Sequence, residues 1–165
     1  MEIDDIHYLF SVSSGISTDT RTIKKNNIFF CLKGQNFNGN LFIEQAISLG
    51  ASFVIYDEEK LNHKSEKAIK VKNALETLQA LAKYHRSKFN IPVIGLTGSN
   101  GKTTSKELIN SVLSQKFNVT STLNNFNNHI GVPLTILEIN RKTDLAIIEM
   151  GANHIGEIAE LATIA

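Results

Sequence analysis

The segment at positions 93–109, VIGLTGSNGKTTSKELI, constrains the fold of this chain more than any other. A short apolar run leads into a glycine-containing turn, and a helical pattern begins directly after it. Glycines let a backbone turn tightly and point successive N–H groups at one anion, while the start of a helix adds unpaired donors and a partial positive charge. We therefore predict a strand, a loop and a helix, with the phosphates of a nucleotide bound by Gly98, Ser99, Asn100, Gly101, Lys102, Thr103 and Thr104.

Two side chains of this loop carry chemistry that the backbone cannot supply. Lys102 places a full positive charge near the outer phosphates and is the predicted catalytic residue, and the hydroxyl of Thr103 is a predicted ligand of Mg²⁺. The general phosphate-loop pattern has four residues between its two glycines, whereas five separate Gly95 from Gly101, so this loop is a variant. The alternative is a plain glycine-rich turn capped by threonine.

A second predicted metal ligand lies at the end of the apolar run LAIIEM, positions 145–150. This run is typical of a buried strand, and Glu149 stands where the strand would end. Because parallel strands present their carboxyl ends at one edge of a sheet, Glu149 and Thr103 are expected to meet there and to hold Mg²⁺ together. Taken alone, a glutamate in this position is more often a surface residue.

Composition limits the classes of function. The 17 Lys and Arg residues nearly balance the 16 Asp and Glu residues, so the net charge of +1 gives no electrostatic footprint for nucleic acid or an anionic membrane. No apolar run approaches the ~20 residues needed to cross a bilayer. The single cysteine, Cys31, lies in an apolar run and is expected to be buried and inert, and the acidic N-terminus does not resemble a secretory signal. We predict a cytoplasmic monomer.

Apolar runs alternate with helical patterns along the whole chain, which favours an α/β fold with parallel sheets. We predict strands at 27–32, 52–56, 67–71, 93–96, 117–121 and 145–150, and helices following position 41, at 74–88 with Asn73 as its cap, at 102–115 and over the last eleven residues. Two apolar helix faces are expected: one formed by Phe42, Ala46 and Leu49, with Gly50 ending the helix, and another that supports the loop, formed by Leu108, Ile109, Val112 and Leu113. The segment GVPLTILEI receives no assignment.

Positions 90–92, Asn-Ile-Pro, are typical of a linker, because the residue before a proline avoids helical geometry. We therefore predict a small α/β domain at 1–90 and the first part of a second, parallel-sheet ATPase domain at 91–165. Two or three parallel strands do not complete such a sheet, so the second domain is expected to be truncated.

Four motifs resemble those of one known family. TGSNGKTT is similar to the ATP-binding loop of the Mur ligases, which is shortened in the same way. NNFNNHIGVPLTIL and IIEMGANHIGEI resemble the member of that family that joins D-alanyl-D-alanine to UDP-N-acetylmuramoyl-tripeptide. In the first half, STDTR resembles the family's Asp-Ser-Arg turn, and IFFCLKGQNFNGNLFIEQAISLGA resembles its uridine-binding segment.

The resemblance implies a ligase of peptidoglycan synthesis that uses ATP and Mg²⁺. ATP would phosphorylate the terminal carboxylate of the muramoyl peptide, and the amine of D-alanyl-D-alanine would displace phosphate from the acyl phosphate as the amide forms. It also implies a uridine-binding first domain, in which Thr20, Arg21, Gly34 and Gly39 contact the uridine diphosphate. Thr20, Asn38 and Asn40 replace the Ser, Asp and His that are commoner in the family, so the resemblance gives only weak support for individual uridine contacts.

Other assignments remain open. Asn127 and Asn128 either contact substrate phosphates or order their own loop, and His154 is better explained as a residue near a helix start than as a metal ligand. In this family the ligands of a second metal lie beyond position 165, so the chain is expected not to ligate by itself. The alternatives are another muramoyl-peptide or folylpolyglutamate-type ligase and, in a different class, a non-catalytic phosphate-loop module that binds nucleotide but no UDP-sugar.

Overall fold

A computed structural model describes residues 1–61 and 63–165 of the chain. The chain forms two compact units, Met1–Leu78 and Gln79–Ala165, and the division between them falls inside one helix. The prediction of domains at 1–90 and 91–165 stays a prediction.

The first unit is built on a four-stranded, wholly parallel sheet with the order β1-β2-β5-β6. A short antiparallel pair, β3 and β4, and two 3-10 turns at Thr20–Thr22 and Gly39–Phe42 lie outside that sheet. The elements in chain order are α1 (Ile3–Ser11), β1 (Ile16–Ser17), β2 (Ile28–Phe30), β3 (Lys33–Gly34), β4 (Phe37–Asn38), α2 (Ile43–Ser48), β5 (Phe53–Tyr56), β6 (Ala68–Lys70) and α3 (Ala74–Arg86).

The core of the first unit forms where α2 packs against β2 and β5. Its buried members are Phe29, Cys31, Ile43, Ala46, Ala51, Val54 and Tyr56. The predicted helix face is only partly right, because Ala46 is buried but Leu49 is 47% exposed. Ile43, three residues before Ala46, takes the core position instead, and Gly50 follows the helix with a φ of +100°, as expected of a residue that ends it.

Helix α3 begins at the predicted cap. The side-chain oxygen of Asn73 accepts hydrogen bonds from the N–H groups of Leu75 and Glu76, at 2.9 and 3.1 Å. A second acceptor, Asp57 Oδ2, takes the N–H of Ala74 at 3.1 Å. Three of the first unpaired donors of the helix are therefore satisfied by side chains.

The second unit contains a three-stranded parallel sheet with the order β7-β9-β8. The pairing places Leu96 opposite Glu149 and Ser121 opposite Ile147, so all three strands end at the same edge of the sheet. The elements that follow α3 are β7 (Val93–Leu96), α4 (Lys102–Leu113), β8 (Val119–Ser121), α5 (Gly131–Leu137), β9 (Leu145–Glu149) and α6 (Glu157–Ala162).

The predicted buried face of α4 is only partly right, because Ile109 and Leu113 are half-buried but the other two predicted residues are exposed. Leu108 and Val112 are 64% and 71% exposed, and the fully buried residue of this helix is Lys106. Helix α4 packs on β8 and β9, and at 100° per residue the side facing them carries Lys102, Lys106, Ile109 and Leu113, whereas Leu108 and Val112 lie on a flank. The hydrophobic pattern therefore included two exposed residues, Leu108 and Val112, and missed the buried Lys106.

The unassigned segment GVPLTILEI contains helix α5, which is almost wholly buried. Pro133 is the third residue of this helix, where a missing N–H breaks no hydrogen bond. The first residue of α5, Gly131, packs tightly against the preceding loop. A side chain is excluded there, because a Cβ would come within 2.4 Å of the Phe126 backbone. Within residues 1–61 and 63–165, no helix has both the length and the apolar character needed to span a bilayer.

Candidate functional site

The predicted phosphate loop joins β7 to α4 at the carboxyl end of the strand. Gly98 and Gly101 have φ values of +146° and +77°, conformations that side-chain-bearing residues rarely adopt. Gly101 is the residue that caps the start of α4, and the loop residues Gly98, Ser99, Asn100 and Gly101 are all exposed. The loop therefore has the backbone geometry and the access that binding of an anion at a helix start requires.

Lys102 begins α4 and its side chain turns back over the loop. Its Nζ donates a hydrogen bond of 2.5 Å to the carbonyl oxygen of Gly98. The ammonium charge consequently lies directly at the loop, where the outer phosphates of a bound nucleotide would lie.

The predicted pair of metal ligands is brought together. Thr103 Oγ1 donates to Glu149 Oε1 at 3.3 Å, although the two residues are 46 positions apart in the chain. Thr103 is exposed at the first turn of α4, and Glu149 is the last residue of β9. The pairing of β9 with β7 places Glu149 beside the residue that leads into the loop.

Glu149 is 1% exposed, and its two carboxylate oxygens differ in their contacts. Oε1 accepts hydrogen bonds from Thr103 and from Asn127 Nδ2, the latter at 2.8 Å. Oε2 is buried and has no hydrogen-bond partner among the residues that the structure describes. A buried carboxylate oxygen with no donor is costly unless a cation neutralises it.

This arrangement fits a magnesium ion. Mg²⁺ prefers oxygen ligands and commonly uses one or two protein groups together with water and substrate phosphates, so a threonine hydroxyl and one carboxylate suffice. The described residues hold no cluster of three or more His, Cys, Asp or Glu side chains that could bind a metal without such help. The fit to Mg²⁺ therefore rests on Thr103 and the unpartnered Oε2 of Glu149.

The asparagine-rich loop after β8 is ordered by its own side chains. Asn128 Oδ1 accepts the N–H groups of Ile130 and Gly131 at 3.0 and 2.9 Å at the start of α5. Asn127, besides contacting Glu149, accepts the N–H of Gly151 through its backbone carbonyl at 2.7 Å. Loop ordering, one of the two roles considered for this pair, is thus visible in the contacts, and a substrate role stays a prediction.

In the first unit, the predicted turn around Thr20 and Arg21 is a 3-10 turn capped by Asp19. Arg21 is 86% exposed and forms an ion pair with Asp19, with Nε within 3.0 Å of both carboxylate oxygens. The side-chain hydrogen bond from Arg21 lowers the pKa of Asp19, and the same contact raises the pKa of Arg21. The guanidinium is accessible, and an incoming anion would compete with Asp19 for it.

The two predicted glycine contacts differ in their surroundings. Gly39 is buried, and a Cβ there would meet the carbonyl oxygen of Leu32 at 2.7 Å, so packing alone explains the glycine. Gly34 is exposed with nothing within 4 Å of an added Cβ, which leaves its backbone accessible to a ligand. Their predicted contact with uridine diphosphate stays a prediction.

Sequence reasoning missed the residues that organise the segment around Gly39 in the first unit. Asn40 is buried and donates to Asn38 Oδ1 and Asp57 Oδ1, at 2.8 and 3.0 Å. Burial by itself would raise the pKa of Asp57, but the N–H of Ala74, the Asn40 amide and the ion pair with Lys33 outweigh it and lower that pKa. The signal in the sequence was an aspartate directly after a buried strand, a position where a polar residue commonly caps or orients a neighbouring segment.

The remaining candidates have structural contacts. Cys31 is buried, and burial raises the pKa of its thiol to about 12, as expected of an inert cysteine. The N–H of His154 donates to Glu157 Oε2 at 3.1 Å, just before α6 begins, which agrees with a residue near a helix start. Hydrogen bonds from the backbone N–H groups of Asn153 and His154 lower the pKa of Glu157.

Two family models match the chain in succession. Residues 13–86 match the model described as "Mur ligase family, catalytic domain", and residues 96–165 match that of the "Mur ligase middle domain". The chain belongs to the Mur ligase family.

Individual Mur ligases are similar to this chain in both sequence and fold. Over 159 residues the chain is 43% identical to the UDP-N-acetylmuramoyl-tripeptide–D-alanyl-D-alanine ligase of Bacillus subtilis (strain 168), covering 96% of this chain and 35% of the relative. The crystal structure of MurF from Acinetobacter baumannii superimposes with a TM-score of 0.84 at 34% identity, over 92% of this chain and 33% of that one. The MurF ligase of Thermotoga maritima in complex with ADP gives a TM-score of 0.81 at 33% identity, over 93% of this chain and 35% of that one.

The chain spans about a third of the length of the curated relatives it matches. The α/β fold with parallel sheets, expected from the sequence, is confirmed as that of the Mur ligase first and middle domain segments.

Proposed function

We propose that this chain is the substrate- and nucleotide-binding portion of an ATP-dependent ligase that joins D-alanyl-D-alanine to UDP-N-acetylmuramoyl-tripeptide. The observation that carries the proposal is the contact between Thr103 and the buried Glu149 beside a glycine loop and Lys102. It supports binding of a nucleotide triphosphate, and the relatives that carry this ligase name support the choice of reaction.

In the proposed site, the backbone N–H groups of residues 98–104 and the ammonium of Lys102 hold the phosphates of ATP. Lys102 stabilises negative charge on the phosphoryl group that moves to the carboxylate of the muramoyl peptide, which makes it the proposed catalytic residue. Thr103 and Glu149 hold Mg²⁺, which when bound neutralises charge on the outer phosphates. The exposed rim of the loop leaves the phosphoryl group accessible to an acceptor.

The UDP-sugar part of the substrate is assigned to the first domain, residues 1–90. Arg21 is the strongest candidate, since its exposed guanidinium can bind a phosphate in place of Asp19. Thr20, Gly34 and Gly39 complete the proposed uridine diphosphate site. Asn127 and Asn128, in the second domain, are proposed to contact substrate through the amide groups of their loop.

The activity of the whole protein is part of the proposal, because the chain spans only about a third of its relatives. We expect nucleotide and UDP binding from this chain but no ligation, since the amine-side pocket and the second metal site are assigned to the remaining two thirds. The proposed setting is the cytoplasm, and the proposed pathway step is the addition of a dipeptide to a peptidoglycan precursor.

Two titrations and one assay test this function. Isothermal titration of the chain with ADP in the presence of Mg²⁺, and separately with UDP, is expected to show one site for each nucleotide, with UDP binding weakened by Arg21→Gln. Binding of ADP with no binding of UDP at millimolar concentration would favour a non-catalytic phosphate-loop module.

The assay measures phosphate release with ATP, UDP-N-acetylmuramoyl-tripeptide and D-alanyl-D-alanine. A protein of the relatives' length that contains this chain is expected to need all three, and substitution of another muramoyl peptide for the tripeptide should suppress release. Release by the 165-residue chain alone that depends on D-alanyl-D-alanine would contradict the expected inactivity.

A further inference from the structure

Lys106 is a fully buried lysine that the proposed reaction does not use. It lies one turn after Lys102 on the same face of α4, and its side chain is 1% exposed. Its Nζ donates to the carbonyl oxygen of Thr122 at 2.6 Å and forms an ion pair with Glu107 Oε1 at 2.8 Å. Glu107 itself is 63% exposed, so the buried part of this arrangement is the contact between Lys106 and Thr122.

An ammonium group is an expensive choice for this position. Removing a charge from water is unfavourable unless it is compensated, and an apolar side chain of similar volume commonly fills such a place at no loss of stability. The contribution of this lysine is therefore geometric: its hydrogen bond fixes the direction and distance of the carbonyl oxygen that accepts it.

The residue held by Lys106 also holds the backbone of Glu149, the residue that carries the proposed metal-binding carboxylate. Thr122 Oγ1 accepts the backbone N–H of Glu149 at 2.9 Å, and the N–H of Thr122 donates to the carbonyl of Ile147 at 3.0 Å. Thr122 is itself fully buried. It therefore connects the end of β9 to helix α4, whose first turn carries Thr103.

The same connection continues through the asparagine-rich loop. This loop leaves β8 at Thr122 and returns to the end of β9 through Asn127, which donates to Glu149 Oε1 and accepts from the N–H of Gly151. Glu149 is thus fixed at its backbone by Thr122 and at its carboxylate by Asn127, and both residues belong to a segment anchored on Lys106.

We propose that Lys106 is a positioning residue for the magnesium–nucleotide site: by holding the Thr122 carbonyl it sets the separation between Thr103 on α4 and Glu149 on β9. The inference rests on the proposed function of that site. Outer contacts that orient metal ligands typically change metal affinity 10–100-fold when they are removed. An effect of the lysine charge alone has the opposite sign, since removing a positive charge near the site would strengthen binding of Mg²⁺.

The test compares the wild-type chain with Lys106→Met, which keeps the length and volume of the side chain and removes the charge and the donor. ATP binding is measured with a fluorescent ATP analogue across a Mg²⁺ titration and again in EDTA, and folding is checked by circular dichroism. We expect the Mg²⁺ concentration at half-saturation to rise about tenfold, with metal-free binding of the analogue changed less than about twofold. If Lys106 has a purely structural role, the variant should weaken Mg²⁺-dependent and metal-free binding of the analogue in parallel, which would overturn the proposal. An unchanged or lower Mg²⁺ requirement would overturn it as well.

Two further variants locate the effect. Thr122→Val removes the hydroxyl that accepts from Glu149 but keeps the carbonyl, and it is expected to raise the Mg²⁺ requirement by a similar factor. If Lys106→Met fails to fold, the test rests on Thr122→Val. A wild-type Mg²⁺ requirement in Thr122→Val would then refute the connection from Lys106 through Thr122 to Glu149. Glu107→Gln removes only the exposed partner and is expected to change the requirement less than about twofold, whereas a tenfold loss would assign the effect to the surface ion pair.

The wild-type titration separates this inference from the function on which it rests. No binding of the ATP analogue by the wild-type chain would overturn the proposed nucleotide site and the role of Lys106 with it. If the wild-type chain binds the analogue and Lys106→Met has the same Mg²⁺ requirement as wild type, only the role of Lys106 is overturned.

Discussion

Thr103 and Glu149 approach to 3.3 Å across the edge of a parallel sheet, one from the first turn of a helix and the other from the last position of a strand. The sheet order brings them together, because β9 lies between β7 and β8 and ends level with the start of the phosphate loop. Of the two carboxylate oxygens of Glu149, one is hydrogen-bonded, and the other is buried with no partner within residues 1–61 and 63–165. The unpartnered oxygen supports the proposal that the pair binds a cation.

Removing the charge of Glu149 is expected to affect binding and stability in opposite directions. Glu149→Gln should abolish the dependence of ATP-analogue binding on Mg²⁺, because the amide is a poor ligand for a hard cation. In EDTA the same variant should raise the free energy of unfolding by ~1 kcal/mol, since a buried unpaired charge is lost. Calorimetric titration and urea unfolding measure the two effects, with the exposed Glu138→Gln as the matched control. Unaltered Mg²⁺ dependence would contradict the assignment of Glu149.

Loss of the Lys102 ammonium should weaken binding in proportion to the number of phosphates on the nucleotide. Lys102→Met is expected to reduce ATP affinity about 30-fold, the effect of a lost charged hydrogen bond worth ~2 kcal/mol, and to leave AMP affinity nearly unchanged. Lys116→Met, which removes an exposed lysine beside Phe117, serves as the control. Equal losses for ATP and AMP would mean that Lys102 does not contact the outer phosphates.

The backbone of the phosphate loop can be tested with an alanine substitution at Gly101, compared with the same substitution at Gly34, which lies outside the loop in β3. Gly101→Ala should destabilise the chain by ~1 kcal/mol, because φ is +77° there and alanine is strained in that conformation. Gly34→Ala should be neutral or slightly stabilising, since an added Cβ meets nothing within 4 Å and φ is not left-handed. Among the described residues, an added Cβ meets nothing within 4 Å at either glycine, so a steric clash does not explain a difference between the two variants. Urea unfolding of the two variants measures the difference, and equal stability would argue against strain at Gly101.

His85 is expected to make the second unit less stable in mild acid. Burial lowers the pKa of this imidazole, and the hydrogen bond from Nε2 to the Ile139 carbonyl, at 2.7 Å, only partly opposes the effect. The unfolded chain, with a pKa near ~6.5, then binds the proton more readily than the folded chain, so stability is retained above that pH and lost as pH falls through the folded pKa.

The corresponding measurement is urea unfolding between neutral pH and mild acid. Wild-type stability should fall with a slope of at most ~1.4 kcal/mol per pH unit, the limit for one proton. His85→Gln should flatten this slope, whereas His129→Gln, which removes an exposed imidazole, should not. A slope that persists in His85→Gln would assign the acid sensitivity to other groups.

Features that depend on neighbouring positions in the chain were predictable. The order of strand, glycine loop, lysine and helix, the burial of LAIIEM and the cap at Asn73 each follow from a few consecutive residues. Helix α1 was missed even though Ile3, Ile6 and Phe10 have helical spacing. The individual roles of the loop residues and of the uridine contacts remain predictions, as does the domain boundary near residue 90.

The sequence by itself determined the local chemistry: glycines where the backbone must turn, an ammonium and a hydroxyl at a helix start, and a carboxylate at the end of a buried strand. Only the tertiary structure decided that α4 buries Lys106 rather than Leu108 and that Thr122 joins this lysine to Glu149. The reason is physical: backbone conformation and capping depend on adjacent residues, whereas which side of a helix is buried depends on the order in which distant strands pair.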